Sequence, residues 1–357
     1  MPKIAVIGTT SWGITLAIVL ANKGLSVSLW ARTEEEAHRL MEKGPDSHRL
    51  PNVKFPPQLS ITSSPKKALS RAAAVILAVP SQTMRQNMIS VKDYLRESIL
   101  IINAAKGLET GSNKRMSQVI AEEIPTSYHH NICVLSGPNL FREILLGLPA
   151  AAVLACEDKV IAKKAQKLLT APDFSIYINN DVIGVELGGA LKNVIALGAG
   201  MVDGLGYGDN AKATFITRGL TEMAALSVAL GSNPLTLSGL AGLGDLIATC
   251  ASPLSRNHFV GVELAKGQKI ADIIASMQDV AEGVNTTAVV WDIAQHLELE
   301  MPITENIYHI LYDGAEVHRT ITELLGTKGR HELSGRKWRL FSFFRHRKRT
   351  KTQNVTT

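Results

Sequence analysis

The chain has 357 residues, 45% of them hydrophobic and only 5% aromatic, with a formal net charge of +6, which is the size of two domains and the composition of an α/β protein. The charge sits at one end: ten of the 38 Lys/Arg residues and one of the 32 acids lie from Thr327 onward, leaving 28 basic against 31 acidic residues before it, so specific nucleic-acid binding is not implied. No apolar run reads as long enough to cross a bilayer and no leader pattern opens the chain. Cys133, Cys156 and Cys250 are too scattered for a zinc site or a disulfide framework, so a cytoplasmic protein without metal is expected.

In chain order, Lys3–Ile7 reads as an apolar strand, Ser11–Asn22 as a helix, Ser26–Trp30 as a second strand and Thr33–Glu42 as a helix with acids in its first turn. Gly44–Gln58 carries four prolines and reads as a loop. Ala72–Val79, Ser98–Asn103, Asn131–Ser136 and Ala150–Ala155 follow as buried strands with helical segments between them. Strand and helix alternating in this way predict a doubly wound parallel sheet of Rossmann type, covered on both faces, over residues 1–180. From Asp181 to about Leu325 only helical periods and glycine-rich breaks remain, which predicts an all-helical second domain over 181–326. Residues 327–357 are basic and polar and predict a tail without a fixed fold.

The first strand runs into "IGTTSWG", Ile7–Gly13, a variant of the dinucleotide-binding loop. Gly8 and Gly13 stand at the positions for the tight turn and for close packing of helix on strand, and Thr10 replaces the glycine that lets the backbone approach the pyrophosphate. Thr10, Ser11 and Trp12 at a helix N-terminus still offer donors to an anion, the threonine hydroxyl among them, so a looser pyrophosphate contact is expected. Arg32, after the second strand, stands where NAD-binding folds usually carry an acid, and it suits a 2′-phosphate; NADPH is therefore expected over NADH.

Gly184, Gly188, Lys192, Ala196 and Gly200 recur every fourth residue on a helix that is otherwise largely apolar. A cation in that setting is paired or functional, unless it reaches along the surface to solvent. Lys106 follows a strand at the carboxyl edge where ligands of parallel sheets bind, and a second cation near Lys192 would lower its pKa. Asp245 follows a glycine-rich turn, the setting of a helix N-cap, with Thr249 one turn further along the same face.

The segments Val182–Met223, Asn103–Glu109, Leu135–Ile144, Gly239–Asn257 and Met301–Tyr308 resemble the bacterial NAD(P)-dependent glycerol-3-phosphate dehydrogenases, in that family's order and up to about Gly326. The resemblance implies reversible reduction of dihydroxyacetone phosphate to sn-glycerol 3-phosphate, feeding glycerophospholipid synthesis, with Lys192 as the acid/base residue. It implies substrate contacts from Lys106, Gly137, Asn139, Lys192, Asp245, Thr249, Ser255, Arg256 and Asn257. It implies cofactor contacts from Lys106, Phe141, Arg256, Val280 and Glu282, beside the loop residues and Arg32. Thr9 and Thr10 stand where the family usually has Ala-Gly, Asn139 where Thr is frequent, and Phe141 where a small residue near the nicotinamide is common. Two other readings stand beside this one: a related two-domain hydroxyacid dehydrogenase, or a non-catalytic nucleotide-binding protein with a membrane-contacting tail. The tail interleaves Trp338, Leu340, Phe341, Phe343 and Phe344 with cations, a pattern compatible with weak contact with an anionic membrane surface. A homodimer is compatible with the sequence and is not read from it.

Overall fold

The structure is a computed structural model and describes residues 2–45, 53–277 and 280–326. The basic tail, with its expected membrane contact, lies outside the described residues. The first part of the chain forms an eight-stranded sheet in the order β3-β2-β1-β4-β5-β6-β7-β8. The strands are β1 (Lys3–Ile7), β2 (Ser26–Trp30), β3 (Leu59–Thr62), β4 (Ala72–Leu77), β5 (Leu100–Asn103), β6 (Ile132–Ser136), β7 (Ala150–Ala155) and β8 (Phe174–Asn179). Helices α1 (Ser11–Asn22), α2 (Glu34–Lys43), α3 (Pro65–Leu69), α4 (Met84–Val91), α5 (Met116–Glu123), α6 (Phe141–Leu145) and α7 (Lys159–Leu169) connect them. Successive strand residues point to opposite faces: Ile4 and Val6 enter one apolar cluster, Ala5 and Ile7 the other. Both faces are therefore covered, as the continuous apolar runs required.

All neighbouring strands run parallel except β6 and β7, which pair antiparallel through Val134↔Ala155 and Ser136↔Val153. This corrects the expectation of a wholly parallel sheet. The connection holds only the five-residue α6, whereas a parallel crossover usually carries a full helix. Apolar runs such as "CVLS" and "AAAVLA" read alike in either direction, so their direction was not legible. Two strands were also missed. β3 is a four-residue strand at one edge of the sheet and β8 lies at the other, with an inward-outward alternation begun by buried Phe174 and Ile176 and exposed Ser175 and Tyr177. The strand order reverses between β1 and β4, and in such sheets the crevice beyond the carboxyl ends of those two strands is where ligands bind.

After Asn179 the described residues form helices only: α8 (Val182–Gly204), α9 (Gly208–Ala229), α10 (Asp245–Ala251), α11 (Arg256–Ala265), α12 (Ile270–Ser276), α13 (Glu282–His296), α14 (Pro302–Tyr312) and α15 (Val317–Leu325). Helix α8 is central, with every residue from Gly184 to Val202 buried. By length and composition it could cross a membrane, contrary to the sequence expectation, but 89% of its most apolar stretch is buried inside the protein. Its small residues explain the packing. A Cβ on Gly200 would lie 2.1 Å from the His258 carbonyl oxygen, and one on Gly261 of α11 would lie 1.9 Å from the Leu197 carbonyl oxygen. The two backbones touch because neither glycine has a side chain, and this contact seats α11 on the C-terminal half of α8.

Candidate active site

The glycine loop closes at the reversal point of the sheet. Gly8 has φ +109°, and a Cβ there would stand 2.6 Å from the Ala78 carbonyl oxygen just beyond β4, so only glycine fits. A Cβ on Gly13 would meet the Gly8 carbonyl oxygen at 2.3 Å, which is the close helix-to-loop packing expected of that position. Thr10 is the N-cap of α1. Its Oγ1 accepts from the Gly13 N–H at 3.1 Å and donates to the Ala78 carbonyl oxygen at 2.7 Å. The hydroxyl proton is thus committed to the end of β4, which corrects the expectation that it serves a phosphate. In its place the loop presents backbone N–H groups of the first turn of α1.

Lys192, halfway along α8, is buried, and its ammonium donates to Asp245 Oδ1 and to Thr249 Oγ1, both at 2.5 Å. Thr249 donates in turn to the Asp245 carbonyl oxygen at 2.7 Å, which leaves its oxygen turned to the lysine. Lys106 arrives from the carboxyl end of β5 and donates to Asp245 Oδ2 at 2.6 Å and to the Gly137 carbonyl oxygen at 2.9 Å. Asp245, 1% exposed, therefore lies between two ammonium groups. It is the first residue of α10, and Gly244 holds the N-cap position with no side-chain bond, so the expected capping role is not the one this carboxylate takes. A π-helical turn, Leu240–Gly244, delivers it. That turn seats on α8 where a Cβ at Gly188 would come within 2.4 Å of the Ala241 carbonyl oxygen. Burial is the main cause that lowers the Lys192 pKa from 10.5 to about 8; Asp245 opposes the shift and Lys106 adds to it. The repulsion from Lys106 expected from the sequence is present, but burial outweighs it.

The sheet and the helices are tied together by groups that the sequence did not reveal. Glu186 on α8 accepts from the Ser117 N–H at 2.7 Å, from Ser117 Oγ and Arg115 at 2.6 Å and from Asn103 at 3.3 Å. Asn103 in turn accepts from the Ala105 N–H at 3.0 Å, one residue before Lys106. Nothing in the local pattern marks Glu186, because its partners lie 69–83 residues away.

The first turn of α11 forms another wall. Ser255 is its N-cap and accepts from the His258 N–H at 3.3 Å. Asn257 donates to Asn193 Oδ1 and accepts from the Gly283 N–H, both at 2.9 Å, so its amide knits α8, α11 and α13 together. These two residues were expected to bind substrate, and the structure uses them first to shape the wall. Arg256 stands between them. Glu282, at the start of α13, accepts from Ser81 N at 2.9 Å and from Ser81 Oγ at 2.5 Å. Burial pushes its carboxyl pKa upward, and the Ser81 bonds and the Arg256 charge pull it back.

These elements surround one cavity of about 740 Å³, a volume suited to a cofactor with a small substrate. Every residue expected to bind cofactor or substrate or to catalyse lines it except Gly13, Gly137 and Asp245. Those three act from behind: Gly13 packs α1, Gly137 accepts from Lys106, and Asp245 is covered by the two lysines. Gly137 has φ +142°, and a Cβ there would approach Ala152 Cα to 3.0 Å. Glu36, Arg39, Asn87, Arg142 and Asn193 also line the cavity and were not anticipated. The Trp12 Nε1–H and Asn139 Oδ1 are buried without a hydrogen-bond partner, although Asn139 Nδ2 donates to the Ala151 carbonyl oxygen at 3.0 Å. Phe141 lies under the Arg142 guanidinium, 5.9 Å from ring centre to Cζ. A glycine turn at the sheet's reversal point, a helix N-terminus, two orphaned polar atoms on the lining residues and several lysines and arginines in the lining fit a nicotinamide dinucleotide and an anionic substrate.

Comparison with known proteins agrees. The family described as NAD-dependent glycerol-3-phosphate dehydrogenase N-terminus matches residues 3–162, and its C-terminus counterpart matches residues 181–322. The chain is 58% identical over 356 residues to the glycerol-3-phosphate dehydrogenase [NAD(P)+] of Dehalococcoides mccartyi, covering 99% of both chains. It is 42% identical over 330 residues to the enzyme of that name from Chlorobium limicola, covering 92% of this chain and 99% of the relative. The crystal structure of the Coxiella burnetii glycerol-3-phosphate dehydrogenase superposes with a TM-score of 0.86 at 35% identity, covering 91% of this chain and 99% of that one. The chain belongs to the NAD-dependent glycerol-3-phosphate dehydrogenase family.

Proposed function

We propose that Lys192 is the proton donor and acceptor in the NAD(P)H-dependent, reversible reduction of dihydroxyacetone phosphate to sn-glycerol 3-phosphate. The observation that supports this role most directly is a buried ammonium with a lowered pKa, held by Asp245 and Thr249 in the wall of the one cavity that also holds the glycine loop. The bound nicotinamide would supply hydride to the ketone carbon. Lys192 Nζ gives its proton to the ketone oxygen, so that the carbonyl becomes a secondary alcohol; in the reverse direction the free amine takes the hydroxyl proton. Asp245 keeps the ammonium oriented and offsets the charge of Lys106 beside it. Arg256 and Lys106 supply the cations for the substrate phosphate, with Arg256 offering a planar fork of donors. Thr10 fixes the loop, and backbone N–H groups at the start of α1 face the pyrophosphate.

The domain division that goes with this reading places residues 1–180 on the cofactor and 181–326 on the substrate and catalysis; residues 327–357 lie outside the described residues. The three cysteines are free thiols, in keeping with the reducing cytoplasm expected for this reaction and its supply of glycerol 3-phosphate to lipid synthesis. Oxidation of NADPH and of NADH by dihydroxyacetone phosphate, with Lys192→Ala beside the native chain, tests the proposal. Turnover lost in the variant while cofactor binding persists is the expected result. Turnover at native rates in the variant would remove Lys192 from the chemistry.

A further inference from the structure

Dinucleotide folds usually carry an acid just beyond the second strand, where it accepts from the ribose hydroxyls. This chain has Ala31-Arg32-Thr33 there, and the structure brings a carboxylate from elsewhere. Glu36, in the first turn of α2, folds back toward the glycine loop. Its Oε1 accepts from Thr9 Oγ1 at 2.5 Å and its Oε2 from the Arg32 backbone N–H at 3.2 Å. The turn that presents it is capped by Thr33, whose Oγ1 accepts from the Glu36 N–H at 3.1 Å. Thr9, Arg32, Glu36 and Arg39 all line the cavity. Two segments that frame the cavity, the glycine loop and the end of β2, thus hold one carboxylate between them. Thr9 stands where the alanine found in the family resemblance could make no such bond.

A carboxylate accepts and does not donate. It can receive hydrogen bonds from a ribose diol, but a 2′-phosphate would compete with it for the Thr9 hydroxyl and the Arg32 N–H, anion against anion. Arg32 and Arg39 pull the other way, because guanidinium groups favour the phosphate. We propose that Glu36, positioned by Thr9, determines cofactor specificity in this chain: in its observed place it favours NADH, and its displacement lets the Arg32 and Arg39 charges tip the preference toward NADPH. This rests on the reading of the cavity as a nicotinamide dinucleotide site and deepens it, and it reverses the preference that Arg32 alone suggested.

The test is calorimetric titration of the full chain with NADH and with NADPH, without substrate, so that affinity is read apart from turnover. Glu36→Gln should shift the NADPH/NADH affinity ratio toward NADPH by about ten-fold or more. Thr9→Ala, which frees the carboxylate without removing it, should shift the ratio the same way by less, and Arg32→Ala should shift it the opposite way. A ratio unchanged within about two-fold in both Glu36→Gln and Thr9→Ala, or a shift toward NADH, overturns the proposal. If the native chain binds neither cofactor, the dinucleotide reading itself fails; if it binds both and the ratio does not move, only the role of Glu36 fails.

Discussion

The glycine loop and the lysine cluster line the same cavity and are held in different ways. At the Thr10 cap of the loop, Thr10 and Gly13 are three residues apart, and its bonds are neutral: one from Gly13 N–H, one to Ala78. In the cluster, Lys106 comes from the segment just after β5, Lys192 from α8 and Asp245 from α10, and three charges share one site built around the buried Asp245. A neutral hydrogen bond of the first kind contributes about 0.5–1.5 kcal/mol net. Removing one partner from a buried charge pair costs about 3–5 kcal/mol, because the other charge is left without compensation. At position 10 the loop can therefore carry threonine in place of glycine and keep its shape, whereas the cluster tolerates no loss.

Four experiments can break or sharpen that contrast. The largest effect is expected from Lys192→Ala: kcat falls by about 10²–10⁴-fold, the range for a lost general acid, while calorimetric NADH affinity holds. A parallel loss of cofactor affinity would mean that the lysine shapes the cavity rather than moves the proton.

Asp245→Asn comes next and leaves the buried Lys192 ammonium and the half-buried Lys106 ammonium without their carboxylate. Denaturant unfolding should show a loss of about 3–5 kcal/mol. The pH profile should move as well. With the folded Lys192 pKa at about 8 and its ordinary value at 10.5, the unfolded chain binds the extra proton between those values. This residue therefore costs stability below about pH 8, and the cost is relieved as pH rises toward 10.5. Ketone reduction needs the ammonium, so kcat/KM for reduction should fall as pH rises through about 8, while alcohol oxidation rises. Asp245 raises this pKa, so in Asp245→Asn the midpoint should drop below the native one; an unmoved midpoint would detach the profile from Lys192.

Gly261→Ala places a methyl against the Leu197 carbonyl oxygen and should part α8 from α11. A loss of about 1–3 kcal/mol is expected from overpacking, with KM for dihydroxyacetone phosphate raised more than kcat is lowered, because Arg256 rides on α11. The smallest effect belongs to Thr10→Ala, which removes the cap and the tie to Ala78 and should cost about 1 kcal/mol in thermal or denaturant unfolding. A loss as large as that of Asp245→Asn would dissolve the contrast between graded loop and all-or-none cluster.

The amino-acid order alone determined which segments are strands and helices in most of the chain, because a short apolar run or a helical period is a local property: β1, α1, β2 and the long α8 all lie where their patterns put them. It also marked Gly8, Gly13 and Lys192 as unusual, since a turn glycine and a cation among small residues stand out from their neighbours. What the period does not encode is direction or partner. The antiparallel turn of β7 against β6 followed from the short connection through α6. The direction of the Thr10 hydroxyl depended on where β4 ends. Asp245 looked like a cap and became the bridge between two lysines, because a π-helical turn seated on Gly188 places it 2.5 Å from an ammonium 53 residues away in sequence. Glu36 looked like one of three exposed acids opening a helix, until the packing of β1 beside β2 set Thr9 within reach of it. Local sequence selects conformations, whereas the charges and hydrogen bonds that make a site join residues which only tertiary packing brings together.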